Sequence, residues 1–92
     1  MSLNVEWTGQ FKKDYKLAMK RNRNIDKLDD VIRMLADGKA LPQSMCDHSL
    51  TGKFKGFREC HIEPDWLLIY MIRSDVLILT LARTGSHSDL FE

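Results

Sequence analysis

Cysteine is scarce in this 92-residue chain, and the spacing of its two cysteines excludes the common uses of a cysteine pair. Cys46 and Cys60 are separated by thirteen residues and form no CxxC motif. Neither a zinc ribbon nor a dithiol redox site is therefore predicted. We expect reduced thiols and a cytoplasmic protein.

Long apolar stretches are also missing. The longest, Trp66 to Ile72, has the length of a β-strand and falls short of the roughly 18 apolar residues that a transmembrane helix needs. The segment from Leu3 to Trp7 is not the basic region followed by an apolar core that is typical of a secretion signal. We therefore expect no membrane partner.

Neither sign of charge is in clear excess, because 14 basic residues face 13 acidic ones and the net charge is +1. A total this small does not by itself indicate nucleic-acid binding. The distribution is more informative, since six basic residues fall between positions 12 and 23 with only Asp14 opposing them. They predict either a phosphate-facing surface or an ordinary solvated helix face. The six are Lys12, Lys13, Lys16, Lys20, Arg21 and Arg23, and the first three are candidate substrate-binding residues.

The first half of the chain has the periodicity of one strand followed by two helices. Apolar residues alternate from Leu3 to Trp7, which predicts a strand with one buried face. A helix then begins at Thr8 or Gly9 and ends near Arg23, and a second begins after Asn24 and ends at Gly38. The predicted buried stripes are Phe11, Tyr15, Ala18 and Met19 in the first helix, and Leu28, Val31, Ile32 and Leu35 in the second. The two helices are expected to form an antiparallel hairpin.

The second half predicts a loop and three strands. Residues 39–54 break every periodicity and leave room for one short strand near their end. The three strands, Gly56 to Ile62, Trp66 to Arg73 and Val76 to Arg83, are separated by the turns Glu63-Pro64-Asp65 and Ser74-Asp75. The middle strand is apolar on both faces, as a central strand is. We predict one domain over residues 1–92, an α+β fold of order β-α-α-β-β-β in which the helical hairpin covers one face of an antiparallel sheet and leaves the other partly open.

Four polar residues converge at one end of this predicted sheet. His61 ends the first strand of the meander, Asp65 precedes the second, Arg83 ends the third and His87 follows it. Two imidazoles can accept and donate protons, and a guanidinium can hold a phosphate. This combination predicts cleavage of a phosphodiester by acid–base chemistry.

Each candidate also has an ordinary structural interpretation. Any one of the three histidines can be a surface residue, Asp65 can serve only the turn, and Arg83 can be surface decoration. Trp66 can stack on a nucleobase or belong to the core. Strand alternation places His61 on the face of Phe57 and Glu59, opposite Arg58, Cys60 and Ile62, and therefore outside the deep core.

Three histidines and an aspartate also raise the question of a metal site. The chain has no HExxH or HxH motif, and the histidines are 13 and 26 residues apart. No metal and no other cofactor is therefore predicted.

The motifs around these residues resemble the YafQ branch of the RelE-type toxins. They are Asp47-His48-Ser49-Leu50-Thr51-Gly52, Phe57 through His61-Ile62-Glu63-Pro64-Asp65-Trp66, Arg83-Thr84-Gly85-Ser86-His87, and Leu90-Phe91. The likeness also includes residues 8–14 and Lys20-Arg21, so it covers nearly the whole chain. It implies the compact RelE-like β-α-α-β-β-β fold and a bacterial toxin of a type II toxin–antitoxin pair, which cuts messenger RNA in the ribosomal A site without a metal.

The resemblance also implies roles for single residues. His48, His61, Asp65 and His87 would be catalytic: His61 or His48, assisted by Asp65, would take the proton of the ribose 2′-hydroxyl, and His87 would protonate the leaving 5′-oxygen. Arg83 would hold the scissile phosphate. Phe91 would position His87 or a base. The products would be a 2′,3′-cyclic or 3′-phosphate and a 5′-hydroxyl end.

The implied partners are a cognate antitoxin of the DinJ/RelB type, the ribosome with mRNA in its A site, and operator DNA only through the antitoxin complex. Ser49 and Ser86 stand where close relatives often have proline or threonine. Two alternatives remain: a ParE-like toxin, which shares the fold but binds a topoisomerase, and a plain RNA- or protein-binding module. The set of three histidines favours the nuclease.

Overall fold

The protein is seen in a computed structural model that describes Ser2 to Phe91. Its strands are β1 (Asn4–Trp7), β2 (His48–Ser49), β3 (Arg58–Glu63), β4 (Trp66–Arg73) and β5 (Ile78–Gly85). Its helices are α1 (Gly9–Lys20), α2 (Ile25–Ala36) and the short α3 (His87–Phe91), with 3-10 turns at Gln43–Met45 and Gly52–Phe54. Met1 and Glu92, which the predicted domain includes, lie outside the described residues.

The strands form one sheet in the order β1-β5-β4-β3-β2. The predicted meander of β3, β4 and β5 is antiparallel, and β4 is its central strand, as expected from its apolar sequence. The prediction of a wholly antiparallel sheet is wrong at one edge, because β1 runs parallel to β5. The two helices carry the chain between β1 and the rest of the sheet, so β1 does not form a hairpin with its neighbour.

Helices α1 and α2 cover one face of the sheet, as predicted. The main core contains Phe11 of α1, Leu28 and Val31 of α2, and Tyr70 and Leu79 of the sheet. The Thr8 hydroxyl accepts a hydrogen bond from the Phe11 backbone nitrogen at 3.0 Å and caps α1. Gly38 follows α2 with a φ of 74°, the left-handed conformation predicted for it.

Two burial predictions on this side are wrong. All four residues of β1 are exposed, including Val5 and Trp7, because β1 is an edge strand and the helices cover its inner face incompletely. Met19 is 54% exposed, since the buried side of α1 ends with Ala18.

The other face of the sheet is less open than predicted. A second small core contains Leu67, Ile69 and Leu90, against which Leu50, Phe54, Phe57 and Ala82 pack. The cover comes from residues 50–57 and from α3, a helix that the sequence pattern does not predict. Within Ser2 to Phe91, no helix is long and apolar enough to cross a membrane.

Candidate active site

The register of the sheet places the candidate residues in two adjacent rows on the face opposite α1 and α2. Residues paired directly across strands share a face. The first row runs across four strands as His48, Glu59, Ile69 and Arg83. The second row lies two residues further along β3 and contains His61, Leu67 and Gly85. Asp65, His87 and Phe91 lie beyond the second row, in the β3–β4 turn and in α3.

Asp65 and His87 form the closest contact of this group. One carboxylate oxygen of Asp65 lies 2.8 Å from Nδ1 of His87 and also accepts the His87 backbone N–H at 3.0 Å. The backbone hydrogen bond, followed by the ring hydrogen bond, lowers the pKa of Asp65 below its ordinary value. The carboxylate thus contacts His87, because α3 begins beside the β3–β4 turn, and the assistance of Asp65 to His61 or His48 stays a prediction.

His61 lies next to this pair. Its ring centroid is 5.8 Å from that of His87, and its Nδ1 is 3.2 Å from the Pro64 carbonyl oxygen. A carbonyl oxygen can only accept, so Nδ1 carries the proton and Nε2 of the neutral ring is left with its lone pair. His61, Asp65 and His87 are thus brought together as the strand pattern predicted.

His48 makes a separate contact with Glu59. Its Nδ1 lies 2.8 Å from the Cys46 carbonyl oxygen and its Nε2 lies 3.1 Å from Oε2 of Glu59. The Glu59 side chain is only 7% exposed, and its Oε1 has no hydrogen-bond partner among the described residues. The sequence pattern indicates Glu59 only as one residue of a polar strand face. Its alternation with His61 along β3 was the one indication that it belongs to the site.

Arg83 is partly buried and forms an ion pair. Its Nε donates to Oδ2 of Asp14 at 2.7 Å, and its Nη2 donates to Oδ1 at 3.3 Å. The register between β4 and β5 shifts at this point, leaving Ala82 without a paired residue. Ile69 and Glu59 separate Arg83 from His48 within their row, so those two candidates are not in contact.

Aromatic residues divide between the site and the core. Phe91 is 45% exposed, its ring lies 6.4 Å from that of His87, and the Phe54 ring supports it edge-on at 5.8 Å. Trp66 is fully buried in the main core. The prediction that Trp66 binds substrate by stacking on a base is therefore wrong, and its alternative as a core residue is right.

The remaining candidates are Lys12, Lys13 and Lys16, which are all exposed on α1. Both cysteines are free thiols, and burial raises the pKa of Cys60 to about 12. In residues 2–91, no three histidine, cysteine, aspartate or glutamate side chains are grouped as metal ligands.

Known proteins match this chain over nearly its full length. A family model described as "Bacterial toxin of type II toxin-antitoxin system, YafQ" matches residues 3–92. The curated mRNA interferase toxin YafQ of Escherichia coli strain K12 is 42% identical over 89 residues, which cover 96% of this chain and 95% of that protein. The crystal structure of the E. coli DinJ-YafQ toxin-antitoxin complex matches with a TM-score of 0.91 and 40% identity, covering 100% of both chains. The crystal structure of a metal-bound toxin from Helicobacter pylori matches with a TM-score of 0.90 and 42% identity, covering 97% of this chain and 99% of that chain.

The fold, the histidine–aspartate cluster and these matches define a toxin of a type II toxin–antitoxin system. Within that class, the chain belongs to the YafQ family. The predictions of family, fold class and toxin class are confirmed. The E. coli member is named an mRNA interferase, an endoribonuclease, which agrees with the predicted enzyme class.

Proposed function

We propose that residues 1–92 form one toxin domain that cleaves mRNA in the ribosomal A site without a metal, by attack of a ribose 2′-hydroxyl on the adjacent phosphate. The observation that carries this proposal is the pair of imidazoles of His61 and His87, 5.8 Å apart, each with Nδ1 bound to an acceptor. Because each Nδ1 is occupied, the Nε2 atom of each ring remains available to contact the same phosphodiester. Acid–base catalysis needs one proton acceptor and one proton donor within hydrogen-bond reach of the reacting oxygens.

The partners of the two rings support different roles for them. His61 donates Nδ1–H to the Pro64 carbonyl oxygen, so its Nε2 keeps a lone pair and is the base that takes the 2′-hydroxyl proton. His87 faces the Asp65 carboxylate, which stabilises a positive charge on the ring, and its Nε2–H is the acid that protonates the leaving 5′-oxygen. Between the two base candidates, the geometry favours His61.

His48 has a different role in this proposal. Both of its ring nitrogens already face oxygen atoms, of Cys46 and of Glu59, so neither is free to take a proton from substrate. Its ring therefore lines the site beside Glu59 and does not exchange a proton with the substrate. Arg83 neutralises the charge that develops on the phosphate, and Phe91 stacks on a base beside it.

The basic face of α1 supplies contacts to the RNA backbone. Lys12, Lys13 and Lys16 are exposed, whereas the acidic residue among them, Asp14, is occupied by Arg83. Exposed lysines in such a cluster attract phosphates without sequence preference. In the cytoplasm of the growing cell, a DinJ/RelB-like antitoxin holds the toxin inactive, and operator DNA is bound through that complex. The E. coli complex with DinJ supports this partner class.

Primer extension on a reporter mRNA tests the proposal. Purified protein is incubated with the mRNA alone and with programmed 70S ribosomes, beside an Asp65→Ala/His87→Ala double variant. A chelator selective for transition metals is added to a parallel reaction. Discrete cuts at A-site codons that need ribosomes, resist the chelator and vanish in the double variant are expected.

Asp75→Asn is the matched control for single changes at Asp65, because Asp75 is an exposed aspartate in the turn at the other end of β4. This variant should cut at the wild-type rate. Cuts that persist in the double variant would overturn the assignment of the site. Folded, toxic protein that never cuts RNA would favour the topoisomerase-binding alternative.

A further inference from the structure

Asp14 lies outside the acid–base cluster, yet it determines how Arg83 is held. Its carboxylate is 8% exposed. Oδ2 accepts hydrogen bonds from Nε of Arg83 and from the Thr84 backbone nitrogen, and Oδ1 accepts from Nη2 of Arg83 and from Gln10. Four donors therefore fix this carboxylate beside the end of β5.

The contact uses only one edge of the guanidinium. An arginine has five N–H donors, and Asp14 takes one from Nε and one from Nη2. Within the described part of the chain, Nη1 has no partner, so the edge formed by Nη1 and the second Nη2 proton is available. Two parallel N–H groups on one edge match the geometry of a phosphate. The Arg83 side chain is 25% exposed, so solvent or a ligand can reach it.

The position of Arg83 in the sheet suits such a contact. It lies in the row of Glu59 and Ile69, next to the row that contains His61. The lost residue pairing at Ala82 occurs directly before it. β1 ends at Trp7, so α1 lies beside the last residues of β5 and can place Asp14 there.

We infer that Asp14 is a positioning residue that holds Arg83 with its Nη1/Nη2 edge toward the scissile phosphate. The inference rests on the proposed nuclease function. Without Asp14, the flexible arginine has several rotamers, and the phosphate contact must be formed from a disordered side chain.

The competing interpretation is a structural one, in which Asp14 only ties α1 to β5. A double-mutant cycle separates the two. Single-turnover cleavage of mRNA on programmed ribosomes is measured for wild type, Asp14→Asn, Arg83→Ala and the double variant, and thermal unfolding is measured for all four. If Asp14 acts through Arg83, Asp14→Asn slows cleavage by roughly 10- to 100-fold in the presence of Arg83 and has no further effect in the Arg83→Ala background. Equal slowing in both backgrounds would overturn the inference.

Asp29→Asn is the matched control, because the Asp29 carboxylate ties α2 to α1 through the Tyr15 hydroxyl at 2.8 Å and does not touch Arg83. This variant should keep the wild-type cleavage rate even if its melting temperature falls. Arg83→Lys should cleave no faster than Arg83→Ala, since an ammonium group cannot form the two parallel hydrogen bonds.

The inference and the nuclease proposal fail in different ways. If wild type cuts, His87→Ala does not, and Arg83→Ala cuts at the wild-type rate, the nuclease proposal stands and the role of Asp14 is overturned. If wild type cuts nothing, the affinity of the same four proteins for programmed ribosomes is measured instead. The mRNA on these ribosomes carries 2′-deoxy nucleotides in the A-site codon. Weaker binding of Asp14→Asn only when Arg83 is present supports the inference, and any other pattern overturns it.

Discussion

Nδ1 of His87 lies 2.8 Å from a carboxylate oxygen of Asp65, although 22 residues separate them in the chain. The same oxygen accepts the backbone N–H of His87 at 3.0 Å, so one carboxylate fixes both the ring and the first residue of α3. A ring held at Nδ1 presents Nε2 to the other side. This contact therefore determines which nitrogen of His87 can take part in proton transfer.

Asp65→Asn should slow cleavage while the protein stays folded. The amide keeps an oxygen that can accept from His87 but removes the negative charge that stabilises a protonated ring. We expect a loss of about 10- to 100-fold, smaller than the roughly 10²- to 10⁴-fold expected for removing a general acid in His87→Ala. Single-turnover cleavage rates measure both, with Asp75→Asn as the control. Equal rates for Asp65→Asn and wild type would exclude an electrostatic role of Asp65.

The same contact predicts how stability depends on pH. The pKa of Asp65 is lowered in the folded state by hydrogen bonds from His87, so its ionised form favours folding at any pH above its unfolded pKa of about 3.9. This stabilisation is lost as the pH falls through the lower, folded pKa. Melting temperatures of wild type and Asp65→Asn should therefore differ at pH 5 to 7 and converge near pH 2. A constant difference over that whole range would contradict the prediction.

Gly85→Ala should displace α3 and with it His87. A Cβ atom at this position would lie 2.9 Å from Cβ of Asp89 and 3.3 Å from Leu90, both in α3. The Leu90 contact is with a terminal methyl that can move, but Cβ of Asp89 is fixed to the backbone of α3 and cannot move away without it. We expect a loss of stability of about 1–3 kcal/mol. We also expect a loss of cleavage on the order of 100-fold, since displacements of 1 Å can have that effect.

Gly9→Ala is the matched control for this change, because nothing lies within 4 Å of a Cβ at Gly9 and its backbone is already helical. Thermal unfolding and cleavage are measured for both variants. Gly9→Ala should retain wild-type cleavage. If Gly85→Ala also did so, the position of His87 would not depend on the docking of α3 against β5.

Glu59→Gln should raise stability and lower activity. Oε1 of Glu59 is buried without a hydrogen-bond partner in the described structure, and a buried carboxylate with one unsatisfied oxygen is costly even though Oε2 faces His48. The neutral amide has the same shape, so we expect a gain of about 1 kcal/mol in the free energy of unfolding. The charge that faces Nε2 of His48 is lost at the same time, so cleavage should fall.

Urea denaturation and single-turnover cleavage measure the two effects. Glu6→Gln on the exposed strand β1 is the control and should change neither. A Glu59→Gln variant that is less stable than wild type and cleaves normally would make Glu59 a structural residue. It would also remove the reason for placing His48 in the site.

The sequence predicted the parts of the site that depend on one strand or one hairpin. His61 follows from strand alternation, and its nearness to Asp65 follows from the β3–β4 turn. The contact of Asp65 with His87 could not be predicted, because α3 has only five residues and shows no periodicity. The contact of His48 with Glu59 depends on a two-residue strand inside an aperiodic loop.

Arg83 shows a second limit of sequence patterns. Its partner Asp14 is 69 residues away and stands among lysines in the sequence, although at helical spacing it lies beside the buried residues Phe11 and Ala18. Only the end of β1 at Trp7 and the register shift at Ala82 bring α1 and Arg83 together. Periodicity describes one element at a time. This contact depends instead on where β1 ends, where α1 follows it and where the register of β5 shifts.

Trp66→Phe should leave cleavage within about twofold of wild type, because the ring is fully buried and its Nε1 has no partner among the described residues. A Phe ring keeps most of the apolar contact, so the stability loss should stay near or below about 1.5 kcal/mol, against about 3–5 kcal/mol for Trp66→Ala.

Phe91→Ala should slow cleavage and leave the melting temperature unchanged, since Phe91 is exposed beside His87. Cleavage must be compared below the lowest melting temperature of the set. Loss of cleavage in a stable Trp66→Phe variant would mean that the indole leaves the core to contact RNA.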